Sequence, residues 1–103
     1  MDVTIERADE YARWFQCLAD GTRIRILNYV SRVGRPVTVG EIVEAIGKSQ
    51  STVSRHLQIL AEERFVLTEP DGIRTWIRPN ELCMTELPDA AAAIMGQTDR
   101  AAR

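Results

Sequence analysis

The sequence predicts a mainly α-helical domain that carries one small β-hairpin, in the order ααααββα. Apolar residues recur at helical spacing in most segments, and two short β-prone runs flank the turn Pro70-Asp71-Gly72. Glycine or proline separates most of these segments from one another. The 103 residues are 45% hydrophobic and 27% charged, which fits one compact domain. We expect this domain to span 1–98, with a frayed tail at 99–103.

The composition excludes several classes of protein. Two cysteines are too few for a disulfide-stapled secreted scaffold. The first residues lack the basic flank and apolar run of a signal peptide, and no apolar stretch reaches the roughly 18 residues that a membrane span needs. We therefore expect a cytoplasmic protein with no membrane partner. An enzyme is not expected either, because the chain has one histidine, no glycine-rich phosphate loop, no H-E-x-x-H and no C-x-x-C.

The first helix, about 6–19, has one apolar stripe at i, i+3, i+4 and i+7. Its members are Tyr11, Trp14, Phe15 and Leu18. The stripe is wide and aromatic for a terminal helix, so it must cover either its own core or a partner chain.

The second helix begins at a cap, Asp20 or Thr22, and runs to about Val33. Its predicted buried face comprises Ile24, Leu27 and Val30, with Ile26 and Val33 at the edges.

Two short helices follow around Gly47. Thr38-Val39-Gly40-Glu41 has the spacing of a capping box for a helix over about 39–46. Gly47 ends that helix, and Ser49 can cap a fourth helix that reaches about Glu63. Together they form a helix-turn-helix candidate.

The hairpin is predicted at about 65–78 and is followed by the last helix. Because proline is disfavoured inside a helix, Pro88 predicts a short turn near 80–86 and a helix over about 88–97.

This order is the layout of a winged helix-turn-helix, with the helix-turn-helix at about 39–63. The fourth helix supports it, because Val53, Leu57 and Leu60 share one face. The opposite face holds Ser51, Ser54, Arg55 and Gln58, with no acid before Glu62. A solvated helix normally mixes Glu and Lys on its outer face, so this face favours a helix that reads the major groove of double-stranded DNA.

Each candidate DNA contact has its own chemistry. The Arg55 guanidinium can grip the O6/N7 edge of guanine, and Gln50 and Gln58 suit adenine or the backbone. The polar helix start, 49–52, favours phosphate. His56 is expected to be structural or to bond phosphate. The predicted DNA-contacting residues are Lys48, Ser49, Gln50, Ser51, Thr52, Ser54, Arg55, His56, Gln58, Arg74 and Arg78.

The two hairpin arginines leave an alternative open. Arg74 and Arg78 can straddle the DNA backbone or enter a minor groove, but Arg78 can equally pair with an acid.

Charge distribution agrees with DNA binding although the net charge is -2. Residues 21–58 contain six basic and two acidic side chains, whereas both ends are acidic. We expect few phosphate contacts and modest non-specific affinity.

The chain resembles the ArsR/SmtB family of bacterial metal- and stress-responsive repressors in three stretches. These are the run from Leu18 to Leu27, the run from Ser49 to Leu57, and the wing with Asp71-Gly72. The resemblance spans about 8–96. It implies a homodimer joined through the first and last helices, which binds an imperfect inverted repeat and represses until an inducer lowers DNA affinity. The implied dimer residues are Tyr11, Trp14, Phe15, Leu18, Leu87, Ala91 and Ile94.

The chain also departs from the family pattern. Thr38 and Gly40 stand where many members have a Cys-x-Cys pair, and the last helix has no histidine, only Glu86 and Asp89 near its start. Arg64 stands where a glycine is usual after the recognition helix. A left-handed residue there would cost about 1 kcal/mol.

The remaining candidate sensor is the thiol pair Cys17 and Cys83. Thiols suit soft ions such as As(III), Hg(II) or Cu(I), and the family dimer would bring the two segments together. The alternatives are that both cysteines only pack in the core, or that they form a redox switch. Two further alternatives stay open for the whole protein: a ligand-independent regulator that relies on a partner protein as sensor, and a protein-binding winged helix that never touches DNA.

Overall fold

A computed structural model describes residues 2–97 of the chain. Within that range there are five helices and three strands: α1 (Ile5–Cys17), α2 (Gly21–Val33), β1 (Val37–Thr38), α3 (Val39–Ile46), α4 (Gln50–Glu62), β2 (Val66–Asp71), β3 (Arg74–Pro79) and α5 (Cys83–Ile94). The predicted tail at 99–103 lies outside the described residues. No helix in the described range has the length and apolar character needed to cross a membrane.

The first two helices are capped by side chains. Thr4 caps α1, which ends at Cys17 rather than at residue 19. Asp20 caps α2, since its carboxylate accepts from the backbone N–H groups of Thr22 at 2.9 Å and Arg23 at 3.1 Å. The corner between α1 and α2 is therefore fixed by local hydrogen bonds.

The predicted buried face of α2 is correct at Val30 and wrong at Ile24, because the helix is rotated so that Ile26 faces the core. Ile26 and Val30 are fully buried, whereas Ile24 is 52% exposed and Leu27 is half-buried. Both sets of residues fit a helical stripe, so packing against the other helices decided between them.

The helix-turn-helix follows the sequence prediction closely. The Thr38 hydroxyl accepts from the Glu41 N–H, and the Glu41 carboxylate accepts from the Thr38 N–H, both at 3.2 Å. This is the predicted capping box of α3. Gly47 ends α3 with a φ of 78°, and Ser49 caps α4.

The sheet contains a strand that the sequence did not predict. β1 pairs antiparallel with β3, which brings Val37 opposite Ile77. The strand order is β1-β3-β2, so the hairpin is joined to the α2–α3 connection. Two residues are too short a run to produce a strand pattern.

The end of α4 turns through a left-handed residue. Arg64 has a φ of 63°. Its N–H donates to the Ala61 carbonyl at 3.0 Å, and the Phe65 N–H donates to the Leu60 carbonyl at 2.9 Å. This is a Schellman motif, in which glycine is preferred at the position of Arg64. The expected left-handed residue is thus present.

The predicted start of the last helix is wrong. α5 begins at Cys83, not at residue 88, and contains Pro88 in its interior. Proline has no N–H, so the Met84 carbonyl loses its usual partner. Cys83 and Leu87 nevertheless pack against the core and Ala90 is buried, so packing of one helical stripe holds the helix together across Pro88.

The core lies between α2, α3, α4 and the sheet. Its fully buried large side chains are Phe65, Ile26, Ile42, Leu60, Ile77, Val30, Val37, Val53 and Val66.

Candidate nucleic-acid interface

The outer face of α4 is exposed, as its sequence indicates. Val53, Leu57 and Leu60 are buried. The opposite side presents four exposed polar side chains: Ser51, Ser54, Arg55 and Gln58. Within the described residues, Arg55 takes part in no ion pair. The face therefore offers hydroxyl, amide and guanidinium groups to a partner.

The start of α4 is a cluster of hydroxyl groups beside an exposed lysine. The Ser49 hydroxyl accepts from the Thr52 N–H at 3.2 Å, lies 3.3 Å from the Ser51 hydroxyl, and donates to the Thr52 hydroxyl at 2.9 Å. The first backbone N–H groups of a helix have no partner within it, so Gln50 and Ser51 can donate outwards. Together with Lys48, this end of the helix suits an anion such as phosphate.

His56 is tied into the protein rather than fully exposed. Its Nδ1 lies 3.1 Å from Nη1 of Arg23. A guanidinium can only donate, so Nδ1 accepts and the neutral ring carries its proton on Nε2. The structural role expected for His56 therefore has a partner, whereas its role as a DNA contact stays a prediction.

Arg23 connects three parts of the fold, and sequence reasoning did not single it out. Its Nε donates to the Cys17 carbonyl at 2.6 Å, and its Nη1 lies 3.9 Å from the Asp20 carboxylate. The pKa of the Asp20 carboxyl is lowered, first by its hydrogen bond from the Arg23 N–H. Arg23 thus holds the α1–α2 corner against α4 through His56.

The hairpin places one arginine beside α4. Arg74 lines a cleft of about 630 Å³ together with Gln50 and Ser54 of α4. Arg78 is exposed further along β3 and makes no ion pair with any described residue. Its predicted pairing with an acid is therefore absent from the described part of the chain.

The only acid in this cleft, among the described residues that line it, is already engaged. Glu41 accepts a hydrogen bond from Nη2 of Arg35 at 2.7 Å and takes part in the α3 capping box. The Arg35 side chain, and then the Thr38 N–H, hold the pKa of the Glu41 carboxyl below its ordinary range. The negative charge at the base of the cleft is therefore paired.

The two thiols lie at the C-terminal end of α4. Sγ of buried Cys17 is 3.9 Å from the Ile59 carbonyl, and Sγ of half-buried Cys83 is 3.4 Å from the Arg64 carbonyl. Burial raises the pKa of both thiols. Cys83 lines a groove of about 310 Å³ between α1, the end of α4 and α5.

The residues in the described range do not build a metal site of the usual family kind. No group of three or more His, Cys, Asp or Glu is placed to hold a metal ion between residues 2 and 97. Thr38 and Gly40 cannot supply thiolates at the start of α3. A site based on Cys17 and Cys83 stays a prediction.

The predicted dimer residues occupy α1 and α5. Phe15 is 39% and Ile94 is 51% exposed, and Ala91 is exposed as well. By contrast, Trp14, Leu18 and Leu87 pack partly against the core, and Tyr11 stacks at a tilt on Trp14 with 5.5 Å between ring centroids. The stripe on α1 therefore serves the protein's own core and also leaves apolar surface exposed.

Comparison with known proteins points to one family of regulators. The profile described as "Bacterial regulatory protein, arsR family" matches residues 20–68, which include α2, the helix-turn-helix and the start of β2. A regulator from Methanocaldococcus jannaschii, described as an uncharacterized HTH-type transcriptional regulator, is 32% identical over 72 residues, which cover 70% of this chain and 78% of that protein.

A second relative is named for a function. The "Probable mercury resistance operon repressor" of Streptomyces lividans is 39% identical over 71 residues, which cover 69% of this chain and 55% of that protein. The chain thus spans about half the length of curated relatives of this kind. These relatives are transcriptional regulators, in agreement with the expectation that the chain is not an enzyme.

A solved structure supports the same fold. The homodimeric winged helix-turn-helix DNA-binding domain from Mycobacterium bovis, described as a possible ArsR-family regulator, has a TM-score of 0.68 to this chain at 28% identity. The match covers 82% of this chain and 80% of that one.

Proposed function

Because this chain belongs to the ArsR family of bacterial regulatory proteins, we propose that it is a DNA-binding transcriptional repressor of an operon beside its own gene. The observation that carries the proposal is the outer face of α4, which is exposed, polar and free of acids up to Glu62. Such a face can enter a major groove without repelling the phosphates that border it.

The proposed contacts divide into base readers and phosphate binders. Arg55 reads a guanine, and Gln50 and Gln58 contact adenine or the backbone. The hydroxyl groups and free N–H groups at the start of α4 bind phosphate, with Lys48 and Arg74 beside them. The remaining contacts in the proposal are Ser49, Ser51, Thr52, Ser54, His56 and Arg78.

We place the regulator in the cytoplasm with its DNA, as a homodimer that binds an imperfect inverted repeat. The exposed apolar surface of α1 and α5, including Phe15 and Ile94, supports that assembly, because isolated monomers rarely leave large apolar patches uncovered. The similarity to a homodimeric domain from Mycobacterium bovis also supports it. A two-fold axis would present two copies of α4 to successive major grooves.

Fluorescence anisotropy on labelled duplexes tiled across the region upstream of the gene tests this function. We expect one tile with an inverted repeat to bind at least about 10³-fold more tightly than a scrambled duplex of equal composition. The affinity for that tile should fall steeply with salt, since phosphate contacts release counterions. Equal affinity for every tile, or no binding, would contradict the proposal and favour a winged helix that binds protein instead.

A thiophilic inducer is part of the same proposal, with Cys17 and Cys83 as its ligands. Both thiols contact carbonyls at the end of α4, so a bound ion would act directly on the reading helix. Their raised pKa opposes this, because a metal must first displace the thiol proton. Only a soft ion such as As(III), Hg(II) or Cu(I) binds thiolates strongly enough to do so.

Titration of As(III), Hg(II), Cu(I) and Ni(II) into the protein–DNA complex tests the inducer. We expect a soft ion, and not Ni(II), to release the wild-type protein, while the double variant Cys17→Ser/Cys83→Ser stays bound. Equal release of the double variant would exclude the thiols as ligands. If no ion releases the wild type, a partner protein as sensor becomes the better explanation.

A further inference from the structure

Arg25 is a basic side chain that reaches the turn of the helix-turn-helix from outside that motif. The residue lies on α2 and is exposed. Its Nη2 donates to the carbonyl of Ile46, the last residue of α3, at 3.2 Å. Lys48 and the α4 cap Ser49 follow directly, so the Cα atoms of Ile46 and Ser49 are at most about 11 Å apart. Arg25 therefore lies beside the end of α4 that is proposed to bind phosphate.

The charge of Arg25 is not neutralised by any acid in the described range. None of the ion pairs between residues 2 and 97 includes Arg25. The bond to the Ile46 carbonyl uses only one of the five N–H groups of the guanidinium. That bond also restrains the planar group, so a further bond costs less side-chain freedom than it would for an unattached arginine. The other N–H groups can therefore bind an anion in a preset orientation.

α4 has a neighbouring element on each of its two flanks. Gln50 and Ser54 face the hairpin across a cleft of about 630 Å³, whereas His56 contacts Arg23 of α2. By the helical period, Gln50 and Ser54 lie about 60–100° to one side of buried Val53. His56 lies about 60° to the other side of Val53. The hairpin and α2 therefore stand on opposite sides of the proposed reading helix.

We propose that Arg25 binds a backbone phosphate of the operator on the α2 side of α4. The inference rests on the proposed DNA-binding function and adds to it a residue outside the helix-turn-helix. A helix in the major groove has a sugar–phosphate strand along each flank. The hairpin with Arg74 faces one strand, so α2 faces the other. The first helix of a helix-turn-helix crosses the DNA backbone, and Arg25 is attached to the last residue of that helix.

Salt dependence distinguishes a phosphate contact from a purely structural bond to the Ile46 carbonyl. Arg25→Gln removes the charge, so it should weaken binding to the selected upstream duplex by about tenfold. It should also reduce the slope of log Kobs against log[salt] by about one. Arg25→Lys keeps the charge and should keep most of the slope. If both variants weaken binding and leave the slope unchanged, Arg25 only caps α3 and the inference is wrong.

Arg32→Gln is the matched control for the loss of charge. It removes a positive charge from another exposed position of α2, about 10 Å further along the helix. Its affinity and slope should match those of the wild type. An equal reduction of the slope in Arg32→Gln would show that the net charge of α2 causes the effect, and would overturn the assignment to Arg25. Thermal unfolding followed by circular dichroism checks that each variant is folded.

Neutral methylphosphonate linkages, placed one at a time along the selected duplex, locate the contact. The wild type should lose affinity at one phosphate of each half-site to which Arg25→Gln is no longer sensitive. Arg74→Ala should lose its sensitivity at a phosphate of the opposite strand. If Arg25→Gln responds to every linkage as the wild type does, the inference is wrong while the proposed function stands. If the wild-type protein selects no duplex, the proposed function itself fails.

Discussion

Nη1 of Arg23 lies 3.1 Å from Nδ1 of His56, and this contact joins the start of α2 to the middle of α4. The same guanidinium donates through Nε to the Cys17 carbonyl at 2.6 Å. To make both bonds, a side chain needs a planar group with N–H donors on two sides. Only the guanidinium group of arginine provides this. The orientation of the proposed reading helix therefore depends on a residue outside the helix-turn-helix.

Replacement of Arg23 by lysine should reduce stability even though the charge is kept. The Arg23 side chain is only 15% exposed, and one ammonium group cannot replace both bonds, so we expect a loss of about 1–2 kcal/mol. Urea unfolding followed by circular dichroism measures it. Arg7→Lys, in the exposed pair with Glu10, serves as the control and should change stability by less than about 0.5 kcal/mol. An Arg23→Lys variant as stable as the wild type would show that the two Arg23 side-chain bonds do not contribute to stability.

Arg64→Gly should stabilise the protein by about 1 kcal/mol. Arg64 is left-handed, with a φ of 63°, and a Cβ in that conformation is strained. Thermal unfolding gives the change. The opposite substitution at a similar position, Gly47→Ala, is a matched test. There φ is 78°, and apart from the adjoining backbone no atom lies within 4 Å of the added Cβ, so strain alone should destabilise the protein by about 1 kcal/mol. A destabilised Arg64→Gly variant would mean that the arginine side chain contributes more than its backbone costs.

Arg55→Ala should cost about 1–3 kcal/mol of specific DNA binding and relax the preference at one base pair. The side chain is exposed on the outer face of α4, where a guanidinium reaches guanine in the major groove. Lys48→Ala should instead weaken binding about equally for all sequences, as expected for a phosphate contact. To distinguish these two roles, the affinity of each variant is measured on a set of duplexes in which each base pair of the site is substituted in turn. An unaltered sequence preference in Arg55→Ala would remove Arg55 from the base-reading set.

The capping box of α3 should make stability depend on acid pH. The folded-state pKa of Glu41 lies below its unfolded value, chiefly through the hydrogen bond from Arg35. The ionised Glu41 carboxylate therefore contributes to the stability of the fold above the ordinary carboxyl pKa. This contribution is lost as the pH falls through the lower pKa of the folded state. Glu41→Gln should show a shallower loss of stability between about pH 5 and pH 3 than the wild type. Glu44→Gln, an exposed change on the same helix, should follow the wild-type curve.

Alkylation should distinguish the two thiols. Burial raises the pKa of both, so at about pH 8 each should react with iodoacetamide more slowly in the folded protein than in urea. Cys83 is half-buried beside a groove, whereas Cys17 is buried, so Cys83 should be modified first. Mass spectrometry on Cys17→Ser and Cys83→Ser gives each rate alone. Faster modification of Cys17 would contradict the burial that the fold assigns to it.

The parts of the fold that sequence reasoning predicted are those with local signals. The capping box formed by Thr38 and Glu41 lies within four residues, and the faces of α4 follow from its helical period. Pro88 gave a local signal too, but packing of Leu87 and its neighbours outweighed it. Ile24 and Ile26 fitted the period of α2 nearly equally, so only the tertiary structure could separate them.

The residues of the candidate site likewise differ in whether the sequence alone identifies them. The polar face around Arg55 was visible because its residues repeat along one helix. The Arg23–His56 contact joins residues 33 apart in sequence, and no short motif marks such a pair.

The pairing of Val37 with Ile77 makes the hairpin part of the same rigid unit as the helix-turn-helix. Such a unit has little freedom to close on or open from a half-site by itself. In a dimer, DNA affinity then depends on whether the two units lie about one helical turn, roughly 34 Å, apart along the duplex. In the proposed function, an inducer held by Cys17 and Cys83 at the end of α4 would then displace each DNA-binding unit as a whole and so change the spacing and tilt of the two units.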